Sequence, residues 1–137
     1  MTSDTEKHEI AYQFEDSLKL GNRDMLQAIV ADDVIMTMPG NSRVSGEWRG
    51  IDGLTELMNL LRQSGMRAEI EAITYGLNSV ALRLHNTGIR GDRHLDQLVV
   101  VALFLRGRRI IRVDSHMSDL ENFNAFFGSV DTFTSGQ

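Results

Sequence analysis

Leu98-Val99-Val100-Val101-Ala102-Leu103-Phe104-Leu105 is the stretch that decides the fold. Side chains alternate across a strand, so Leu98, Val100, Ala102 and Phe104 share one face, and Val99, Val101, Leu103 and Leu105 the other. Both faces are apolar, and both must be covered. One takes the protein's own helices. The other, in a chain of 137 residues, calls for a second subunit, so the reading is a homodimer built sheet to sheet.

Outward from this strand the period stays at 2. Arg67 to Tyr75 alternates, with Ala68, Ile70, Ala72 and Thr74 opposite Glu69, Glu71, Ile73 and Tyr75. Gly76-Leu77-Asn78 supplies a turn, Ser79 to Ile89 is a strand, and Gly88 to Asp92 turns again. His94 to Leu105 is a long strand, Gly107 marks a hairpin, and Arg109 to Met117 is the last strand.

Upstream of Gly65 the period is that of a helix. Ser3 to Glu6 has capping-box spacing, and Ile10, Phe14 and Leu18 repeat every four residues up to Gly21. Met25, Leu26, Ile29 and Val30 make a short second helix capped by Asn22, and Leu54, Leu57, Met58 and Leu61 a third, stopped around Gly65. Between them Val34-Ile35-Met36-Thr37-Met38 is a strand that Pro39, the only proline, should end. The segment from Gly40 to Gly50 reads as a binding loop. Ser118 to Glu121 again has capping-box spacing, ahead of Phe123, Phe126 and Phe127 in a short closing helix, and the small, polar tail from Gly128 is expected to fray. Helices followed by a strand meander mean α+β, with the helices on one face of a mostly antiparallel sheet.

Composition narrows the function. The chain is 42% hydrophobic and 24% charged, ordinary for a single globular domain, here residues 1–137 with an ordered core of about 5–127. It has no cysteine, so disulfides and thiolate zinc sites are excluded. No apolar run approaches the roughly 20 residues that span a bilayer, and the charged N-terminus does not read as a signal peptide, so the expected location is cytoplasmic, with no membrane partner. A net charge of −5 argues against nucleic acid as a partner. Arg106, Arg108, Arg109 and Arg112 read as the solvated charges of a hairpin tip. His94, Asp96 and His116 could meet across strands, where a charge pair is the favoured reading; no metal and no cofactor are expected.

A resemblance runs through the order of short motifs: Gly21-Asn22-Arg23-Asp24, Asp32-Asp33, Met38-Pro39-Gly40, Gly50-Ile51-Asp52-Gly53, the meander, and Asp119-Leu120 before the last helix. In this the chain resembles the NTF2-like superfamily and is most similar to the SnoaL-like polyketide cyclases, with limonene epoxide hydrolase and ketosteroid isomerase more distant. The resemblance implies a cone: a curved, mostly antiparallel sheet wrapped around three N-terminal helices, a short C-terminal helix, and an apolar pocket inside.

Residue by residue, the resemblance separates the chemistries. The base, tyrosine and protonated aspartic acid of ketosteroid isomerases fall on Met38, Phe14 and Val101, so all three polar groups are missing. The Asp–Arg–Asp water site of the epoxide hydrolases is half present, with Asp119 and Arg83-Leu84-His85, while its tyrosine and asparagine fall near Ile35 and Thr37. The late Asp and central-strand His of the SnoaL-type cyclases match Asp119 and His85.

The chemistry of these groups supports the same assignment. Arg83, His85 and Thr87 lie on one side of a strand. A His can move a proton either way near neutrality, and a carboxylate at the rim of an apolar cone is a stronger base than a solvated one. The expectation is therefore a cofactor-free acid–base enzyme that cyclises, isomerises or dehydrates a small hydrophobic, carbonyl-bearing metabolite, polyketide-like or terpenoid-like. Asp119 is read as base, His85 as proton partner and Arg83 as electrostatic support, with Phe14, Met36, Met38, Trp48, Met58 and Asp96 around the substrate. Two alternatives stand beside it: epoxide opening by an Asp-activated water, and a noncatalytic ligand-binding or dimerisation module. Each residue also has a plainer role; Asp119 would stabilise the N-terminus of the last helix.

Overall fold

A computed structural model describes residues 2–128. The elements run α1 (Asp4–Leu20), α2 (Arg23–Gln27), β1 (Val30–Met38), β2 (Gly46–Arg49), α3 (Gly50–Gln63), β3 (Arg67–Tyr75), β4 (Ser79–Arg90), β5 (Arg93–Arg106), β6 (Arg109–Met117) and α4 (Leu120–Phe127). The strands form one curved sheet in the order β2-β1-β6-β5-β4-β3. All neighbours are antiparallel except β1 and β6, which run parallel.

Local chemistry sets the helix ends. Ser3 and Glu6 exchange the reciprocal bonds of a capping box, and Gly21 closes α1 at a φ of 63°, a left-handed conformation that glycine adopts without strain. Asn22 caps α2 through the Met25 amide. The inner face of the sheet then carries Val80, Leu82 and Leu84 on β4, Val99, Val101 and Leu103 on β5, and Ile110 and Val113 on β6, all buried. Phe14 of α1, Leu54, Leu57 and Met58 of α3, and Phe123, Phe126 and Phe127 of α4 complete this core.

The structure departs from the sequence reading at four points. Val30 belongs to β1, not to α2: it pairs with Ile110, and the Ile110 amide donates to the Ile29 carbonyl at 2.8 Å. The segment from Gly40 to Gly50 is not all loop, because Gly46–Arg49 adds an edge strand to β1 in register Met36↔Trp48. A bulge between Ile70 and Ala72 shifts β3 by one residue, which brings Ile73 opposite Leu82 and carries it to the inner face. The cap of α4 is Asp119, which accepts from the Asn122 amide at 2.9 Å; Ser118 instead accepts from the Leu98 amide and ties the turn to β5. The reading of the tail after Gly128 falls outside the described residues.

The outer face of β5 presents Leu98, Val100 and Phe104 at 38–41% exposure, the apolar stripe that the alternation predicts. Among the described residues, no helix is long and apolar enough to cross a membrane.

Candidate active site

Between α1, α3, α4 and the inner face of the sheet lies a cavity of about 740 Å3. Its walls are mostly apolar: Phe14 and Leu18 from α1, Met36 and Met38 from β1, Leu61 from α3, Leu84, Val99 and Val101 from the central strands, Met117 from β6, Phe123 from α4, and Met66 just before β3. Three of the methionines, Met36, Met38 and Met117, sit on adjacent parallel strands, and flexible thioethers let such a wall adapt to its contents.

The polar lining comes from both layers: Glu15 and Lys19 of α1, Asn59, Arg62 and Gln63 of α3, Arg67 and Glu69 of β3, Asn86 of β4 and Ser115 of β6. Glu15 lies on the flank of the buried stripe of α1, one turn after Ala11, and is only 3% exposed. Burial pushes its carboxyl up to about 7; Lys19, one turn on, pulls against that rise and Asp16 adds to it. Among the described residues no hydrogen bond reaches this carboxyl. Asn86 ends the inward alternation Val80, Leu82, Leu84 on β4, and Ser115 stands between Val113 and Met117 on β6; both are buried and both line the cavity. Lys19, Asn59, Arg62 and Gln63 form a polar border on the helical side.

A carboxyl that titrates near 7 holds both of its protonation states at neutral pH, so it can take a proton in one step and return it in another. The mostly apolar walls strengthen its influence on any charge developing beside it. This is the acid–base equipment of the cavity.

The residues expected from sequence divide sharply. Phe14, Met36 and Met38 line the cavity as expected. The positions matched to the ketosteroid isomerase acid–base set, Met38, Phe14 and Val101, are also all in its wall, carrying apolar side chains. Met58 is buried in the core beside it, and Trp48 packs at the β2 edge with its indole N–H donating to the Val44 carbonyl at 3.0 Å; neither lines the cavity.

Arg83, His85 and Asp96 lie on the opposite, outer face of the sheet. His85 Nε2 meets Asp96 Oδ1 at 2.6 Å, and Arg83 Nε meets Glu71 at 3.2 Å. The bond to Asp96 holds His85 above its usual range, with the Asp96 charge, Glu71 and Glu69 reinforcing it. Asp119 is exposed and its carboxylate is engaged in capping α4. The structure therefore does not bring Asp119, His85 and Arg83 together: strand alternation puts Leu84 and Asn86 inside, and their odd-numbered neighbours outside. His94 and Asp96 sit on β5 far from His116, which pairs with Val100.

Glu15 and Asn86 were the residues that sequence reasoning missed. Their signal was present in the pattern: a charge at i+4 from Ala11 beside the α1 stripe, and an amide closing an apolar alternation on β4.

An open, six-stranded, mostly antiparallel sheet closed by helices around an apolar cavity is the NTF2-like fold. A SnoaL-like domain profile matches residues 11–113, and the chain belongs to that family. Solved structures carry the same architecture at low identity. Bal32a, from a soil-derived mobile gene cassette, is 18% identical with a TM-score of 0.84, over 90% of this chain and 98% of its own. An NTF2-like protein of Burkholderia xenovorans LB400 is 18% identical with a TM-score of 0.81, over 93% of this chain and 100% of its own. A protein of Jannaschia sp. CCS1 assigned by name as a SnoaL-like polyketide cyclase is 14% identical with a TM-score of 0.75, over 93% and 97% of the two chains. At these identities the likeness speaks to the fold. No curated protein matches the sequence.

Proposed function

We propose that the protein is an acid–base enzyme that moves a proton on a small hydrophobic, carbonyl-bearing metabolite, with Glu15 as the proton-transferring group. The observation that carries this reading is a carboxyl buried in the wall of a mostly apolar cavity and titrating near neutrality. The Glu15 carboxylate takes a proton from carbon beside the ligand carbonyl, and the electron pair moves onto oxygen as an enolate. In this reading Ser115, a cavity hydroxyl without a hydrogen-bond partner among the described residues, donates to that oxygen. Return of the proton to another carbon gives isomerisation; attack of the enolate carbon on a second carbonyl, with the Glu15 proton passed to the alkoxide that forms, gives aldol closure. A polyketide-like or terpenoid-like ligand suits both the volume and the walls, and the name of the Jannaschia relative favours the first.

A thermal-shift screen against polycyclic ketones and enones finds the ligand class, and turnover of the hits tests the assignment. Glu15→Gln is expected to lower kcat by at least about 100-fold. Asp119→Ala is expected to keep turnover while losing about 1 kcal/mol of stability as a lost helix cap. Full turnover by the Glu15 variant, or its loss with Asp119→Ala alone, contradicts the reading. The binding-module alternative draws support from the outward placement of Arg83 and His85; ligands that bind and are never turned over would favour it.

We also propose that the outer face of β5 is covered by a second copy of the chain. Its stripe of Leu98, Val100 and Phe104 is flanked by charges of both signs, Arg83 and Glu71 on one side, Arg112 and Asp114 on the other, which makes the face self-complementary. Sedimentation at micromolar concentration should give the dimer mass; a monomer would contradict it.

A further inference from the structure

We infer that the ligand is an acid: a hydrophobic carbonyl compound whose carboxylate sits at the border of the cavity between Lys19 and Arg62. The inference rests on the cavity being the site of the proposed reaction, and names the substrate class for it. Helical spacing brings two polar strips together there. Glu15, Leu18 and Lys19 fall on one face of α1, and Asn59, Arg62 and Gln63 on one face of α3, each at i, i+3 and i+4, and all six line the cavity. Arg62 joins the two helices, its Nε donating to the Lys19 carbonyl at 3.3 Å. Its guanidinium also packs over Gly21 so closely that a side-chain carbon there would collide with it. The cation is thus held in place at the border, and solvent and ligand can both reach it, since Arg62 and Lys19 are exposed.

Neither cation forms an ion pair among the described residues, unlike Arg23, Arg49, Arg83, Arg106, Arg108 and Arg112, each of which has its carboxylate. The charges of the lining do not cancel either. Arg67 and Glu69, two apart on β3, offset each other, but Lys19 and Arg62 are set against Glu15 alone. Asp16, which also bears on Glu15, is exposed and stands off the lining. With Glu15 ionised one positive charge is left over, in a chain whose net charge is −5. A ligand monoanion balances it; a neutral ketone leaves it unmatched. The same two cations offset the repulsion that an ionised Glu15 and a ligand carboxylate would otherwise suffer in a mostly apolar cavity. A guanidinium fork and a lysine ammonium hold a carboxylate by charge-assisted hydrogen bonds. The apolar body of the ligand then reaches inward along Leu18 and Phe14.

The test is a pair of fluorescence probe titrations at pH 6, where Glu15 is largely protonated: 2-naphthoate against the uncharged and nearly isosteric 2-naphthamide. The wild-type protein should bind the acid about tenfold more tightly, because two exposed charge-assisted contacts are each weak and act together. The preference should fade in about 0.5 M salt. Lys19→Gln and Arg62→Gln should each lower the ratio about threefold. The double variant should bring it near one while binding the amide as the wild type does, which shows the cavity intact. Arg62→Glu should turn the preference toward the amide. Arg108→Gln, which removes a cation beside Glu6 at the opposite end of α1, should leave the ratio unchanged. Equal binding of acid and amide by the wild type, a preference that survives the double variant, an equal loss in Arg108→Gln, or binding of neither probe overturns the inference. The acid–base reading fails separately. Full turnover by Glu15→Gln removes that reading and leaves in place an acid preference that depends on Lys19 and Arg62. Turnover that needs Glu15, without any acid preference, keeps the reading and removes the acid substrate.

Discussion

Glu15→Gln is expected to stabilise the protein by roughly 3 kcal/mol at pH 8 and by almost nothing at pH 4, while abolishing most of its turnover. The magnitude follows from a carboxyl raised from 4.5 to about 7 on folding, at about 1.4 kcal/mol per unit. Below pH 4.5 the acid is protonated in both the folded and unfolded states, and burial costs no ionisation. As pH rises toward 7 the unfolded chain releases the proton that the folded chain retains, so native stability falls through this window. Above 7 both states are ionised, and the folded state carries the full penalty of a buried charge. Glutamine imitates the neutral acid at every pH and removes the penalty. Urea melts of the two proteins at pH 4 and pH 8 check it; equal stabilities at pH 8 would show that Glu15 is not held in the cavity as described. The same titration should govern catalysis: if the carboxylate is the base, kcat/KM rises with pH and levels off above about 7. A residue that costs stability and is retained is where function and folding pull apart.

Phe126→Ala should cost about 3–5 kcal/mol. Phe126 is fully buried and meets Phe127 edge to face with ring centroids 5.0 Å apart. It packs so closely on β4 that a side-chain carbon at Gly88 would lie 2.9 Å from its ring tip. Arg90 completes the joint by donating to the carbonyls of Phe126 and Phe127 at 2.9–3.1 Å, satisfying the C-terminal end of α4. Because Phe123 of the same helix lines the cavity, loosening this joint should also weaken ligand binding. Urea melts give the stability loss, and probe titrations on the folded variant give the second effect. A loss below 1 kcal/mol would mean that α4 does not close the cone.

Most of the fold was legible because it is written locally. The Ser3–Glu6 capping box, the Asn22 cap, the glycine at position 21 and the alternation of β6 each name their structure within a few residues. The family resemblance extended this correctly to the cone, in whose wall Phe14, Met36 and Met38 lie. What failed was the choice between neighbouring residues. Period-2 alternation tells that Arg83, His85 and Thr87 share a face, yet not which face; the apolar set Val80, Leu82 and Leu84 claims the inside and takes Asn86 with it. Attention to His85 as the group of familiar chemistry hid the amide beside it. The bulge at Ile70 and the edge strand at Gly46–Arg49 are tertiary outcomes, set by pairing partners that no local pattern announces. Glu15 escaped for a related reason: a charged residue beside a helical stripe usually turns to solvent, and only the packing of α1 over the sheet buries it.

The central claim is that a cavity carboxyl at Glu15 titrates near neutrality, and it can be read directly. Carbon-detected NMR on protein labelled at the glutamate side-chain carboxyl, with Glu15→Gln to assign the resonance, follows that group from pH 3 to pH 9. A midpoint near 7 is the predicted result. A midpoint near the ordinary 4.5 would place the carboxyl in water, and the acid–base reading of the cavity would fall with it.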